Sequence, residues 1–129
     1  MDFGLRGRII VVTGGASGIG LAAALAAARQ GAHVAICDID AQAAQAAADL
    51  VRAEGVRALA LPLDVTDEVA LEEAGARVRA ELGEPDGLIA SAGISRPEPA
   101  EDLSDESWDA VIGINLTGVF LACQTIGRQ

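Results

Sequence analysis

Apolar positions in this chain fall into short β-branched runs separated by longer Ala- and Leu-rich stretches. The runs are Arg8-Ile9-Ile10-Val11-Val12-Thr13, His33 to Cys37, Val56 to Leu63 and Gly87 to Ala90. Apolarity that continues through a run, without polar alternation, is the mark of a strand covered on both faces, as in a parallel sheet. Between the runs, Gly18 to Gln30, Ala41 to Glu54 and Asp67 to Leu82 have helical composition, and Gly31, Gly55 and Gly83 follow directly as stop signals. Asp40 is placed to cap the second helix. Asp67 and Glu68 put acids in the first turn of the third, where the helix dipole favours them. Ser104 can cap a last helix that opens with Asp105 and Glu106. Strand and helix alternate four times, which predicts an α/β fold built on a doubly wound parallel sheet.

Composition sharpens this picture. The 129 residues make one domain, with neither repeat nor linker, and 51% of them are hydrophobic. Mean hydropathy is +0.36. Only 2% are aromatic, so the core must be built from Ala, Val, Ile and Leu. Nine basic residues, all Arg, stand against nineteen acidic ones, a net charge of −10 that argues against nucleic acid or an anionic membrane surface as partner. Cys37 and Cys123 stand far apart with no C-x-x-C spacing. They read as small core residues, not as a disulfide framework or a zinc site, so no metal is expected and a reducing cytoplasm fits. The opening MDFGLRGR has no apolar signal core, and no span long enough for a membrane helix is expected. His33 opens a strand at the rim and reads as structural or solvated, not as a general base.

The chemistry concentrates where the first strand meets the first helix. Gly14, Gly18 and Gly20 give the spacing G-x-x-x-G-x-G. The first glycine permits the tight turn off the strand; the later ones let a diphosphate, or a neighbouring strand, approach the backbone. Free N–H groups of the helix's first turn then face the phosphates. A second register, Gly18, Gly20 and Ala23 as G-x-G-x-x-A, would run the strand through Gly14 and Gly15, which glycine disfavours. No Lys-Ser/Thr pair follows, so this is not a nucleoside triphosphate loop. Close helix–sheet packing without a ligand would also use such glycines. Asp38 ends the second strand eighteen residues after Gly20. A carboxylate there can accept from ribose hydroxyls and would repel a 2′-phosphate, which favours NAD over NADP; alternatively Asp38 caps the next helix.

The sequence resembles the short-chain dehydrogenase/reductase family. The matching residues are Thr13-Gly14-Gly15-Ala16-Ser17-Gly18-Ile19-Gly20, Asp38, Asp64-Val65, Ala92-Gly93 and Asn115 within NLTGVF, in family order over essentially the whole chain. The resemblance implies a Rossmann-type fold with strand order 3-2-1-4 in three α/β/α layers. It further implies an NAD-dependent oxidoreductase that transfers hydride between nicotinamide and an alcohol or carbonyl substrate. The implied cofactor contacts are Gly14, Ser17, Gly18, Ile19 and Gly20 at the turn, then Asp38 and Ile39 after the second strand. Asp64 and Val65 would lie beside the adenine, although Asp64 or Thr66 can equally cap the next helix. Ser91, Ala92 and Gly93 follow the fourth strand, with Ser91 standing where relatives carry Asn.

Asn115 follows Val111 by four and precedes Val119 by four, so it is expected on a buried apolar stripe, where an unpaired amide costs about 1–3 kcal/mol. Gly113 and Gly118 flank it and predict a local distortion of the helix. The family's Asn holds a water in a proton relay, so Asn115 is the catalytic residue that the resemblance assigns. Arg96-Pro97-Glu98-Pro99 is a stiff loop that either borders the substrate or forms an ordinary surface turn.

The family's catalytic Tyr and the Lys four residues on have no counterpart, because the chain contains neither residue type. Residues 1–129 are therefore expected to be the NAD(P)-binding domain of a longer enzyme, ending before its Ser, Tyr and Lys, with the last helix packing in a homo-oligomer. A complete, non-catalytic dinucleotide-binding module is the alternative. An S-adenosylmethionine-dependent methyl transferase, which also uses a glycine turn and an acid after the second strand, is a third.

Overall fold

The computed structural model describes residues 1–128. Four parallel strands, β1 (Ile9–Thr13), β2 (His33–Asp38), β3 (Ala58–Pro62) and β4 (Gly87–Ala90), form one sheet in the order β3-β2-β1-β4. Register runs Ile9 against His33, Val34 against Ala58 and Ile10 against Gly87. The helices are α1 (Gly18–Arg29), α2 (Ala41–Ala53), α3 (Glu68–Glu81), α4 (Asp105–Ile112) and α5 (Val119–Ile126), and a π-helical turn, Gly113–Gly118, joins the last two. The Rossmann-type α/β fold and the 3-2-1-4 order expected from the sequence are both present.

Each face of the sheet has its own core, because side chains alternate along a strand. Ile10, Val12, Val34 and Ile36 point to α1 and α2 and meet Ala24, Ala27, Ala28, Ala44, Ala47 and Ala48. Small helix residues against large strand residues bring those helices close to the sheet. Ile9, Val11, Ala35, Cys37 and Leu61 point the other way, to Leu71, Ala74 and Val78 of α3 and to Ala122 and Ile126 of α5. Complete burial of a Val or Ile side chain contributes about 1.5–3 kcal/mol, so β1 and β2, buried at almost every position, carry much of the stability.

Asp40 accepts from the Ala43 N–H and Asp67 from the Ala70 N–H, so these two cap α2 and α3. That corrects the alternative in which Asp64 or Thr66 caps α3: the helix begins later, and Asp64 turns back on Thr66 instead. Ser104 caps α4 as expected, accepting from the Ser107 N–H. β1 and β3 are shorter than the apolar runs that announced them, since Arg8, Val56 and Leu63 lie outside the paired register.

Two expectations fail in the last third. Cys123 is exposed on the outer side of α5, whereas Cys37 is buried in β2 as expected, and burial pushes its thiol up to about 12. Because α4, the π turn and α5 run on without a break, Asp105–Ile126 forms a 22-residue helix containing an 18-residue stretch of mean hydropathy 1.4, long and apolar enough to cross a membrane by length and composition. The three acids of α4 and the glycines masked this continuity in the sequence. Its Ala122, Thr125 and Ile126 are buried on the sheet, while Trp108, Leu116 and Phe120 are exposed.

Candidate functional site

The carboxyl ends of all four strands open on one side of the sheet. β1 lies between β2 and β4, so the chain leaves it toward one edge and later returns on the other; the crevice at such a reversal is where open α/β sheets bind ligands. A cleft of about 490 Å³ occupies this position.

The glycine turn forms its near wall. Gly14 and Gly18 have φ of +64° and +53°, the left-handed region that glycine enters without penalty. A Cβ on Gly14 would stand 2.7 Å from the backbone of Ala92, so this glycine lets β1 and the segment after β4 touch. A Cβ on Gly20 would run into the Gly14 carbonyl oxygen, so this glycine lets α1 fold tightly back on its own turn. Gly20 thus shapes the turn from behind and is absent from the cleft lining, unlike Gly14, Ser17, Gly18 and Ile19. This corrects the expectation that Gly20 faces the ligand: Gly14 makes the close approach to a neighbouring segment, Gly18 faces the cleft, and Gly20 only packs α1 on its turn.

α1 starts without a side-chain cap and with no acid in its first turn. Its leading N–H groups and the positive end of its dipole are left for an anion. α2, α3 and α4 are all capped by their own side chains, so the bare start of α1 is a local property of the glycine turn.

Asp38 stands across from that turn. Its Oδ2 accepts from the Ala16 N–H at 3.1 Å and its Oδ1 from the Asp40 N–H at 3.1 Å. It does not cap α2, which removes the alternative role. Ile39 beside it is 75% exposed and lines the cleft, an apolar side chain that the described residues leave in solvent. Farther along, Asp64 accepts from both the N–H and the hydroxyl of Thr66 through Oδ1, which leaves Oδ2 without a partner among the described residues. Leu63 and Val65, both buried, complete that end.

Ser91, Ala92 and Gly93 line the opposite wall with Ile94. The Ser91 N–H donates to the Thr13 carbonyl at 3.1 Å, extending the β1–β4 ladder into the cleft. Asn115 reaches this wall from the π turn. Its Oδ1 accepts from the Ile94 N–H at 2.8 Å and its Nδ2 donates to the Ile94 carbonyl at 2.9 Å. The expected distortion between Gly113 and Gly118 is therefore real, but the buried stripe is not. Asn115 is exposed, because the wider π turn rotates it off the α-helical stripe toward Ile94. Its amide is satisfied by that backbone pairing.

The cleft thus gathers every sequence-predicted contact except Gly20, and Asn115 stands behind its wall. Sequence reasoning missed Leu63, Ile94 and Ile114, which also line it. Each adjoins a residue already singled out, and reading one position before Asp64 and Asn115 and one after Gly93 would have found them. His33 lies at the opposite, amino end of the sheet, where its Nδ1 accepts from the Arg57 N–H, a structural role. Arg96 is not part of the lining; Glu98 in the same loop accepts from the Ser107 hydroxyl at 3.0 Å, which ties the loop to α4.

Comparison with known proteins gives a consistent result. The sequence pattern of the short chain dehydrogenase family matches residues 8–129. D-threitol dehydrogenase of Mycolicibacterium smegmatis is 42% identical over 128 residues, which cover 99% of this chain and 49% of that protein. The 2,3-dihydro-2,3-dihydroxybenzoate dehydrogenase of Bacillus subtilis is 41% identical, with 97% and 48% covered. A solved structure of an NAD+-bound xylitol dehydrogenase superposes with a TM-score of 0.93 at 33% identity, covering 97% of this chain and 48% of that one. The chain spans about half the length of the curated relatives it matches.

Proposed function

This chain belongs to the short chain dehydrogenase family, and from that premise we propose that it supplies the cofactor site of an NAD-dependent oxidoreductase acting on a small alcohol or carbonyl compound. The observation that carries the reading is the uncapped start of α1, opening on a cleft that Asp38 faces from the other side. A bound nicotinamide dinucleotide supplies the hydride acceptor or donor. The N–H groups at Ser17, Gly18 and Ile19 would receive its diphosphate. Asp38 would accept from the adenosine ribose, and its negative charge disfavours a 2′-phosphate, so NAD is preferred to NADP. Ile39, Leu63 and Val65, with the Oδ2 of Asp64, suit a flat base that is apolar on its faces and carries an amino donor at its edge. Ser91, Ala92 and Gly93 would border the second ribose.

Asn115 holds the wall beside that ribose through Ile94, and its place in the family's proton relay is part of this proposal. With neither Tyr nor Lys among the 129 residues, the chain does not itself carry the family's acid–base pair. The proposed turnover needs such a pair from outside these 129 residues. The NAD+-bound xylitol dehydrogenase and the D-threitol dehydrogenase point to hydroxylated small molecules as the substrate class. Self-association through the exposed face of the last helix also belongs to this reading.

Fluorescence titration with NADH tests it directly. Saturable binding of NADH, with NADPH weaker by about tenfold or more, is expected. Binding of S-adenosylhomocysteine in preference to NADH would overturn it in favour of the methyl transferase alternative.

A further inference from the structure

Asp38 touches the glycine turn as well as the cleft. The turn between β1 and α1 hangs on the end of β2 by two bonds. The Gly15 N–H donates to the Cys37 carbonyl at 3.2 Å, and the Ala16 N–H donates to Asp38 Oδ2 at 3.1 Å. Asp38 itself is fixed. Its carbonyl accepts from the Leu63 N–H at 3.0 Å, and its Oδ1 is turned by the Asp40 N–H at 3.1 Å. The carboxylate is therefore a rigid arm reaching from a buried strand to the middle of a turn whose flanking residues, Gly14 and Gly18, are both left-handed.

We propose that Asp38 is a positioning residue for the diphosphate seat: it holds Ala16 so that the next N–H groups, at the start of α1, stay aimed into the cleft. The proposal rests on the cofactor reading above and adds a second duty to the residue that reading assigns to the ribose. The two duties are compatible. An ionised carboxylate offers about four lone-pair directions, of which Ala16 and Asp40 use two, leaving two for ribose hydroxyls. An amide could not replace it. Asn has one accepting oxygen, and its NH₂ would meet either the Ala16 or the Asp40 N–H donor to donor. Removing the charge at Asp38 should thus loosen the seat for a diphosphate that carries no ribose hydroxyls at all.

That consequence separates positioning from simple ribose recognition. The full chain and its Asp38→Asn variant are titrated with 2′,3′-dideoxyadenosine 5′-diphosphate, which Asp38 cannot grip through the sugar. A role confined to the ribose leaves the variant's affinity equal or higher, since a negative charge near the phosphates is gone. The strut predicts roughly tenfold weaker binding by the variant, the scale of one lost charge-assisted hydrogen bond. Amide exchange at Ala16, Ser17 and Gly18 should accelerate in the ligand-free variant beyond any change at the core positions of β1 and β2. Asp38→Ala, which removes the arm without placing a donor there, should behave the same way if Asp38→Asn folds poorly. Equal or higher affinity of the variant for the dideoxy nucleotide together with unchanged exchange at Ala16 overturns the proposal. A wild-type chain that binds neither NADH nor the dideoxy nucleotide defeats the cofactor reading instead, and the exchange comparison then decides the strut alone.

Discussion

Gly118 lies against Val65 so closely that a Cβ on it would stand 2.7 Å from Val65 Cγ2. The π turn is seated by this contact on the segment that follows β3. From that seat Asn115 reaches across to Ile94 after β4. One helix thereby braces two walls of the cleft, and the glycine is what lets it approach.

Gly118→Ala should consequently lift the π turn off Val65 and lengthen the Asn115–Ile94 pair. Overpacking of this kind costs about 1–3 kcal/mol, to be read as a lower denaturation midpoint. Asn115→Ala leaves the seat intact and removes only two solvent-accessible hydrogen bonds, so it should cost about 1–2 kcal/mol. Amide exchange at Ile94 should rise in both variants.

The two glycines at the start of α1 should fail for different reasons. Gly20→Ala drives a Cβ into the Gly14 carbonyl, a backbone atom that moves only if the whole turn moves. NADH affinity should fall with stability. Gly18→Ala meets no atom within 4 Å but forces alanine to hold φ of +53°. Its stability cost should be about 1–2 kcal/mol, from the left-handed conformation alone. Paired urea melts and NADH titrations separate the two cases.

Asp86 joins the start of β4 to that of β1. Its Oδ2 accepts from the Ile9 N–H at 2.8 Å and its Oδ1 from Arg8 at 2.8 Å. The Ile9 N–H first, and the Arg8 guanidinium second, hold its carboxyl below the ordinary 3.8. A folded value below the unfolded one stabilises fully above 3.8, and that contribution is lost as pH falls through the folded value. Asp86→Asn should be less stable than wild type at neutral pH. The gap should close as both are taken below pH 3.8, as followed by urea melts across the acid range.

Trp108, Leu116 and Phe120 are each more than half exposed on a continuous helix. Apolar area of this kind is expected to drive self-association of the chain. Sedimentation should show a species heavier than the 13.0 kDa monomer. Trp108→Glu with Phe120→Glu should shift it to the monomer while leaving NADH binding unchanged, because neither residue lines the cleft.

The short-range patterns in the chain determined the element order, the parallel sheet and the location of the glycine turn. They could do so because strand burial, helix stops and the left-handed glycines are dictated by a residue and its near neighbours. The separation of Asp38 from Asp40 was legible for the same reason: the residue directly before an Ala-rich helix is its cap, and the other acid is left over. What remained hidden depends on atoms far apart in sequence. The Asp38 bond to Ala16 exists because β1 and β2 pair in register. Gly20 stands behind its turn, not in the cleft, because of how α1 folds back on Gly14. Asn115 is exposed and paired with Ile94, not buried, because a π turn adds a residue to the helical repeat, and a 3.6-residue count along the sequence cannot register that addition. Cys123 is outside because only the packing of α5 on α3 and the sheet decides which side of that helix is covered.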